Sequence, residues 1–90
     1  MLWKVIVTET FSKTFKKYNK REEFLNALDK KLQRIKQNPY GVGGNLSGKL
    51  KGYKSTRIIR KLRLIFKINE KEYSVFLIGI DHRKFDYKNF

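Results

Sequence analysis

The chain has 90 residues and no cysteine, which predicts one domain over residues 1–90 and excludes disulfides, thiolate catalysis and cysteine-held zinc. Hydrophobic residues make up 40% of it, too many for a disordered chain, and its longest apolar runs are too short to span a bilayer. The net charge of +14 favours a polyanionic partner: nucleic acid, an anionic membrane surface or an acidic protein. We expect a cytoplasmic protein with no signal peptide and no membrane-embedded part.

The charge is unevenly distributed along the chain. No Asp or Glu lies between Lys30 and Ile68, whereas basic residues recur throughout that span. A surface that serves solubility alone usually intersperses charges of both signs. The pattern therefore favours a localised basic surface over general enrichment in lysine.

The N-terminal part of the chain predicts a strand followed by a short helix. Residues 2–7 are mostly β-branched or aromatic, which is typical of a strand. Either Thr8 or Thr10 is suited to cap the helix that follows. The apolar residues that share one face of this helix are Phe11, Phe15 and Tyr18.

A second helix is predicted from Asn19, where Glu22 three residues later completes a capping-box-like pair. It should end at Asn38, because the residue before Pro39 avoids the helical region. Its apolar stripe consists of Phe24 or Leu25, Leu28, Leu32 and Ile35. Its other faces carry Arg21, Lys30, Lys31, Arg34 and Lys36.

A glycine-rich loop follows over residues 40–52. A phosphate-binding P-loop ends in Gly-Lys-Ser/Thr, directly after a strand and at the start of a helix. Here Leu50 follows Gly48 and Lys49, and the next predicted elements are strands. We therefore reject a nucleotide-binding loop.

Three strands are predicted in the remainder, over residues 54–60, 62–69 and 72–80, with a hairpin turn at residues 69–71. The last strand is apolar on both faces and is best placed inside the sheet. The resulting order, β-α-α-β-β-β, predicts an α+β fold: a mainly antiparallel sheet with a helical hairpin packed on one face.

Alternation in the strands sorts apolar and basic side chains onto opposite faces. The face predicted to lie under the helices carries Leu62, Leu64, Phe66 and Ile68. Arg63 then lies on the open face, together with Arg57 or Arg60 from the preceding strand. Residues expected around that open face are Tyr53, Lys54, His82, Arg83 and Tyr87. Such a surface matches phosphates and unpaired bases, although the arginines are also consistent with simple solvated charges.

Three short motifs resemble the RelE/ParE toxin superfamily of type II toxin–antitoxin systems. They are Thr56-Arg57-Ile58, Leu62-Arg63-Leu64-Ile65-Phe66, and His82-Arg83-Lys84 before Tyr87. The element order and the Asn-Pro stop of the second helix fit the same superfamily. The resemblance covers essentially the whole chain and is most specific over residues 50–87.

The resemblance implies a ribosome-dependent endoribonuclease that cleaves mRNA in the A site. In that reaction the message's own 2′-hydroxyl attacks the adjacent phosphate, which requires no metal and no cofactor. The site residues implied are Arg57, Arg63, His82, Arg83 and Tyr87, with Arg63 the first choice for transition-state charge. RNA or ribosome contacts are expected from Lys49, Lys51, Tyr53, Lys54, Arg60 and Lys84, and from Lys30, Lys31 and Arg34 on the second helix.

Two departures from the superfamily pattern leave the general base unassigned. Ile59 occupies the position where some RelE-like enzymes carry a second basic residue. The glycine-rich loop has no glutamate, although the YoeB-like branch uses one upstream of the strand arginines. Lys49, Lys51 or Lys54 is an electrostatic substitute, and His82 is a candidate acid or base because its ordinary pKa lies near neutrality.

Two other functions fit the composition. One is a ParE-like toxin that poisons DNA gyrase, although such chains generally lack the sheet-face arginines and the terminal tyrosine. The other is a basic RNA- or ribosome-binding module without catalysis. The resemblance also implies an acidic RelB-like antitoxin that covers the basic surface, in addition to the ribosome and mRNA as partners.

Overall fold

A computed structural model of the chain describes residues 2–82. Its helices and strands are β1 (Lys4–Val7), α1 (Glu9–Phe15), α2 (Glu22–Gln37), β2 (Gly44–Asn45), β3 (Lys54–Ile59), β4 (Leu62–Asn69) and β5 (Ser74–His82). The strands form one sheet in the order β1-β5-β4-β3-β2, in which β1 and β5 are parallel and the other pairs antiparallel. The predicted α+β fold is confirmed, and β5 lies inside the sheet as expected. Within residues 2–82, no helix is long and apolar enough to cross a membrane.

Thr8 is the residue that caps α1. Its hydroxyl accepts from the Phe11 amide at 3.2 Å and donates to the Leu77 carbonyl of β5 at 2.7 Å. Further along, the Thr14 hydroxyl accepts from the Ile80 amide at 2.9 Å. Two threonines of a short helix thus attach it to β5 in addition to capping it, which compensates for the low stability of a helix this short.

The second helix begins later than the sequence predicts. It starts at Glu22 with Arg21 as its N-cap, and no side-chain bond caps it, so the predicted capping box at Asn19 is wrong. The amides of Tyr18 and Arg21 bond to carbonyls three residues earlier, which commits the residues around Asn19 to the turn between the helices. The helix ends at Gln37, before Asn38-Pro39, as predicted.

The glycine-rich loop forms a short strand that the sequence did not predict. Gly44 and Asn45 pair with Ser55 and Lys54 to make β2. Gly43, which precedes it, has φ +71°, and a Cβ at that position would collide with the Ser55 carbonyl oxygen. This glycine therefore allows the loop to approach β3 closely.

The core lies between the helices and one face of the sheet. Phe24, Leu28 and Ile35 of α2 belong to the same buried cluster as Leu62, Leu64 and Phe66 of β4, while Ile68 is partly buried against it. The predicted sorting of β4 by face is therefore confirmed. Arg63 alternates with these core residues and is directed to the opposite face.

Two connections place a residue other than glycine in the left-handed region of the backbone. The β3–β4 hairpin turns through Arg60 and Lys61, and Arg60 has φ 52°. The β4–β5 connection is a 3₁₀ turn at Glu70–Glu72 followed by Tyr73 with φ 50°, so β5 begins at Ser74 and not at residue 72. Side chains with a Cβ adopt such φ values at a cost of about 1 kcal/mol.

Candidate anion site on the β3–β4 hairpin

Arg57 and Arg63 are direct cross-strand partners on β3 and β4. Together with Arg60 and Lys61 of the hairpin turn they line one hollow of about 460 Å³. We call these four residues and the space between them the cationic hollow. Like charges directly opposite each other on a sheet are destabilising, and a bound anion relieves that repulsion. The arrangement is therefore suited to an anion such as a phosphodiester group.

Each of the two arginines is held by a hydrogen bond that its own Nε donates. Arg63 Nε donates to the Ser55 hydroxyl at 3.1 Å, and Arg57 Nε donates to the Arg60 carbonyl at 2.9 Å. The terminal nitrogens of a guanidinium are the ones that make parallel bonds to a phosphate. Fixing Nε to the protein orients that terminal fork before a ligand arrives, which lowers the ordering cost of binding.

A carboxylate lies on the strand next to Arg63. Asp81 of β5 is the cross-strand partner of Arg63 and is only 3% exposed. One of its oxygens accepts from the His82 amide at 2.8 Å. Opposite charges on facing strand positions attract each other, so an ionised Asp81 would offset part of the repulsion between Arg63 and Arg57. The position of Asp81 one strand across from Arg63 follows only from the register.

His82 does not join the arginines of the cationic hollow. Its cross-strand partner is Leu62, whose side chain belongs to the core, so the imidazole is directed to the helix side of the sheet. It lines a different pocket there, together with Tyr18 and Phe24. His82 follows Asp81, the cross-strand partner of Arg63, and successive residues of a strand point to opposite faces. The expectation that His82 and Arg63 lie around one open face is therefore wrong.

Lys54 is also placed differently from the expectation. It is paired with the core residue Phe66, is only 9% exposed, and donates from Nζ to the Tyr40 carbonyl at 3.1 Å. This position makes Lys54 a structural cation on the helix side of the sheet. Tyr53, just before it, carries Lys67 Nζ 5.4 Å from its ring centroid.

The other predicted contact residues lie on separate parts of the surface. Lys49 and Lys51 are exposed around the short 3₁₀ turn at Gly48–Leu50. Lys30, Lys31 and Arg34 lie on α2, in the helix layer. Burial, and then the charge of Arg34, lower the pKa of Lys31 from its ordinary value. Arg83, Lys84 and Tyr87 lie outside the described residues.

The cationic hollow can stabilise negative charge that grows on a phosphate. Four cations with two pre-oriented guanidinium groups suit a pentacoordinate phosphorane, whose charge exceeds that of the diester. Within residues 2–82, no group of three or more His, Asp or Glu side chains is arranged to hold a metal ion. Ser55, Lys61 and Asp81 are the residues of this site that the sequence motifs do not identify: Ser55 and Asp81 follow from strand register, and Lys61 follows from the position of the hairpin turn.

The family model described as the ParE toxin of the type II toxin–antitoxin system parDE matches residues 5–87. No curated protein sequence matches the chain. Among solved structures, the RelBE2 toxin–antitoxin complex of Mycobacterium tuberculosis is similar with a TM-score of 0.78 and 25% identity, covering 92% of this chain and 93% of that one.

Two further structures are similar in fold. The YoeB/ParE toxin of Agrobacterium tumefaciens has a TM-score of 0.76 and 18% identity, over 88% of this chain and 96% of that chain. YafQ of E. coli has a TM-score of 0.75 and 20% identity, over 91% and 94%. Their helices and sheet therefore superpose on those of this chain across nearly its whole length.

Proposed function

Since the chain belongs to the ParE toxin family, within the RelE/ParE superfamily of type II toxin–antitoxin toxins, we propose that it is a ribosome-dependent endoribonuclease. It cleaves mRNA in the ribosomal A site and thereby inhibits translation. The observation that carries this proposal is the cationic hollow, in which two cross-strand arginines and two turn cations line one space.

The proposed reaction uses the RNA as its own nucleophile. The 2′-hydroxyl loses its proton and attacks the adjacent phosphorus, and the bond from phosphorus to the 5′ oxygen breaks. The products are a 2′,3′-cyclic phosphate and a 5′-hydroxyl, whose oxygen takes up a proton. Arg63 and Arg57 neutralise the charge of the phosphorane between these steps, and the ribosome holds the message in line for attack.

Fewer residues are proposed for proton transfer than for stabilising the charge of the phosphorane. His82 lies across the sheet from Arg63, so in this arrangement it does not contact the same phosphate. Tyr87 remains the proton-transfer candidate that the superfamily pattern supplies, and Arg83 remains a further candidate cation; both lie outside the described residues. Residues 2–82 therefore support the charge-stabilising part of the proposed mechanism.

The proposed partners are the ribosome, mRNA and an acidic antitoxin. The similar structures include toxin–antitoxin complexes, among them the YoeB–YefM complex of Staphylococcus aureus and the RelE–RelB complex of Pyrococcus horikoshii. A chain with a net charge of +14 is complementary to an acidic, partly disordered RelB-like segment. Covering the cationic hollow with such a segment would block access of RNA.

The experiment that tests this function compares three activities of the purified chain. With translating ribosomes and a defined mRNA, primer extension should map cuts within A-site codons, and the same mRNA without ribosomes should stay intact. Because the matching family model is that of ParE, DNA gyrase supercoiling is assayed in parallel. Inhibited supercoiling with intact mRNA would establish the gyrase function instead. Ribosome binding with neither activity would indicate a non-catalytic module.

A further inference from the structure

A second pocket lies on the helix side of the β3–β4 hairpin, and the proposed mechanism does not use it. It has a volume of about 390 Å³. Buried Phe24 and Leu62 contribute to its lining, and so do the half-buried rings of Tyr18 and His82. The rings of Tyr18 and Phe24 lie 5.6 Å apart at 38°. We call this space the Tyr18–His82 pocket; its apolar and aromatic lining suits a flat heterocycle.

The charged residues around the pocket favour an uncharged base that carries a phosphate. Arg21, Arg60 and Lys61 contribute positive charge, and Glu23 contributes one carboxylate. Glu23 Oε2 forms an ion pair with Arg60 Nη2 at 3.3 Å. Because Glu23 is already paired with Arg60, the charges of Arg21 and Lys61 are left to attract the phosphate attached to a base that occupies the apolar lining.

The pocket shares two lining residues with the cationic hollow. Arg60 and Lys61 line both spaces, so the hairpin turn forms a ridge with the phosphate site on one side and the aromatic pocket on the other. Resting on the proposed function for the identity of the ligand as RNA, we propose that the Tyr18–His82 pocket binds the base of a nucleotide next to the phosphate held in the cationic hollow. The RNA strand then passes around the tip of the β3–β4 hairpin.

Binding of short RNAs that cannot be cleaved tests this directly. The probes are 2′-O-methylated pentanucleotides, one intact and five with an abasic site at one position each, measured by fluorescence anisotropy. At one position the abasic site should weaken binding to the wild-type chain by about 10-fold, the size expected for one stacked base. Tyr18→Leu should weaken the intact probe by a similar factor and leave that abasic probe nearly unchanged.

The matched control is Lys71→Gln, an exposed position in the β4–β5 connection at the other end of β4, which should bind all probes as wild type does. Arg21→Gln, exposed at the α2 N-cap where no side-chain bond is lost, should lower the salt slope of binding by about one. These two variants keep the test usable if Tyr18→Leu is misfolded. In that case, NMR of the wild-type chain must show Tyr18 and His82 ring signals shifting with the intact probe.

The results separate this inference from the proposed function. If cleavage on ribosomes occurs but Tyr18→Leu weakens intact and abasic probes equally, the base pocket is wrong and the endoribonuclease stands. Unshifted Tyr18 and His82 signals would overturn the inference in the same way. If no probe binds any form of the chain, the inference fails whatever the cleavage assay gives.

Discussion

The Nε atom of Arg63 donates a hydrogen bond to the hydroxyl of Ser55, 3.1 Å away on the neighbouring strand. Ser55 is buried, so its hydroxyl is held in place by the sheet and is shielded from solvent. The arginine stem therefore leaves β4 in one direction, and the terminal fork of its guanidinium meets the cationic hollow. A catalytic cation on a strand with its stem fixed costs less to organise than one on a loop.

Ser55→Ala should reduce catalysis through Arg63 without unfolding the chain. Losing one neutral acceptor is worth about 1 kcal/mol, which corresponds to about a fivefold fall in kcat. KM for the ribosome–mRNA complex should stay within twofold, because the charge of Arg63 is still present. Ser47→Ala, in the exposed loop before the Gly48–Leu50 turn, is the control. A KM effect with unchanged kcat would mean that Ser55 does not position Arg63 for the chemical step.

Arg60 combines a binding charge with an unfavourable backbone conformation, since its φ is 52°. Arg60→Ala and Arg60→Gly both remove the charge and the ion pair with Glu23, but only glycine relieves the left-handed strain. The glycine variant should be more stable than the alanine variant by about 1 kcal/mol in urea unfolding. Both should bind RNA equally weakly. Equal stabilities would show that the turn does not hold residue 60 in this conformation.

Lys54 should prove structural and not a direct RNA contact. Lys54→Ala removes the partly buried hydrogen bond from Nζ to the Tyr40 carbonyl and should lower the free energy of unfolding by about 2 kcal/mol. The fluorescence of Trp3, whose ring lies 5.6 Å from that of Tyr40, follows unfolding at this site. Lys51→Ala, exposed in the same loop, should leave the unfolding midpoint unchanged. If Lys54→Ala is fully stable yet loses RNA affinity, the original expectation of an RNA contact is right.

The basic residues of α2 should matter for the ribosome and not for a short RNA. Lys30, Lys31 and Arg34 lie in the helix layer, on the other side of the sheet from the cationic hollow. Replacing all three by Gln should lower the salt slope of ribosome binding by about one per charge and leave the slope for a pentanucleotide unchanged. The control replaces the exposed Lys16, Lys17 and Lys20, also by Gln. An unchanged ribosome slope would remove this helix from the interface.

The fold could be predicted largely from alternation and spacing. Leu62, Leu64 and Phe66 identify the buried face of β4, and the Asn38-Pro39 pair identifies the end of α2. Local capping rules were less reliable, because the backbone turn between the helices uses the residues around Asn19 and leaves Arg21 at the cap. The short strand β2 carries no apolar pattern, and its pairing depends on the close approach at Gly43.

The candidate site was predicted in part. Strand alternation placed Arg63 on the open face, and the register adds that Arg57 is its direct partner. His82 was expected around the same face because it follows the predicted strand over residues 72–80, but β5 extends to His82, whose partner Leu62 lies in the core. Two bulges set the pairing of β3, β4 and β5, one just after Arg57 and one at Ile65–Phe66. The sequence alone reveals neither bulge.

Single-turnover cleavage on stalled ribosomes shows whether Arg63 stabilises the transition state of RNA cleavage. Arg63→Ala and Lys67→Ala each remove one positive charge from β4. Lys67 is exposed and lies four residues further along the strand than Arg63. If Arg63 has this role, Arg63→Ala slows cleavage by about 100-fold or more with ribosome affinity within a fewfold of wild type, while Lys67→Ala cleaves normally. Equal, small effects of both substitutions on the cleavage rate would contradict it.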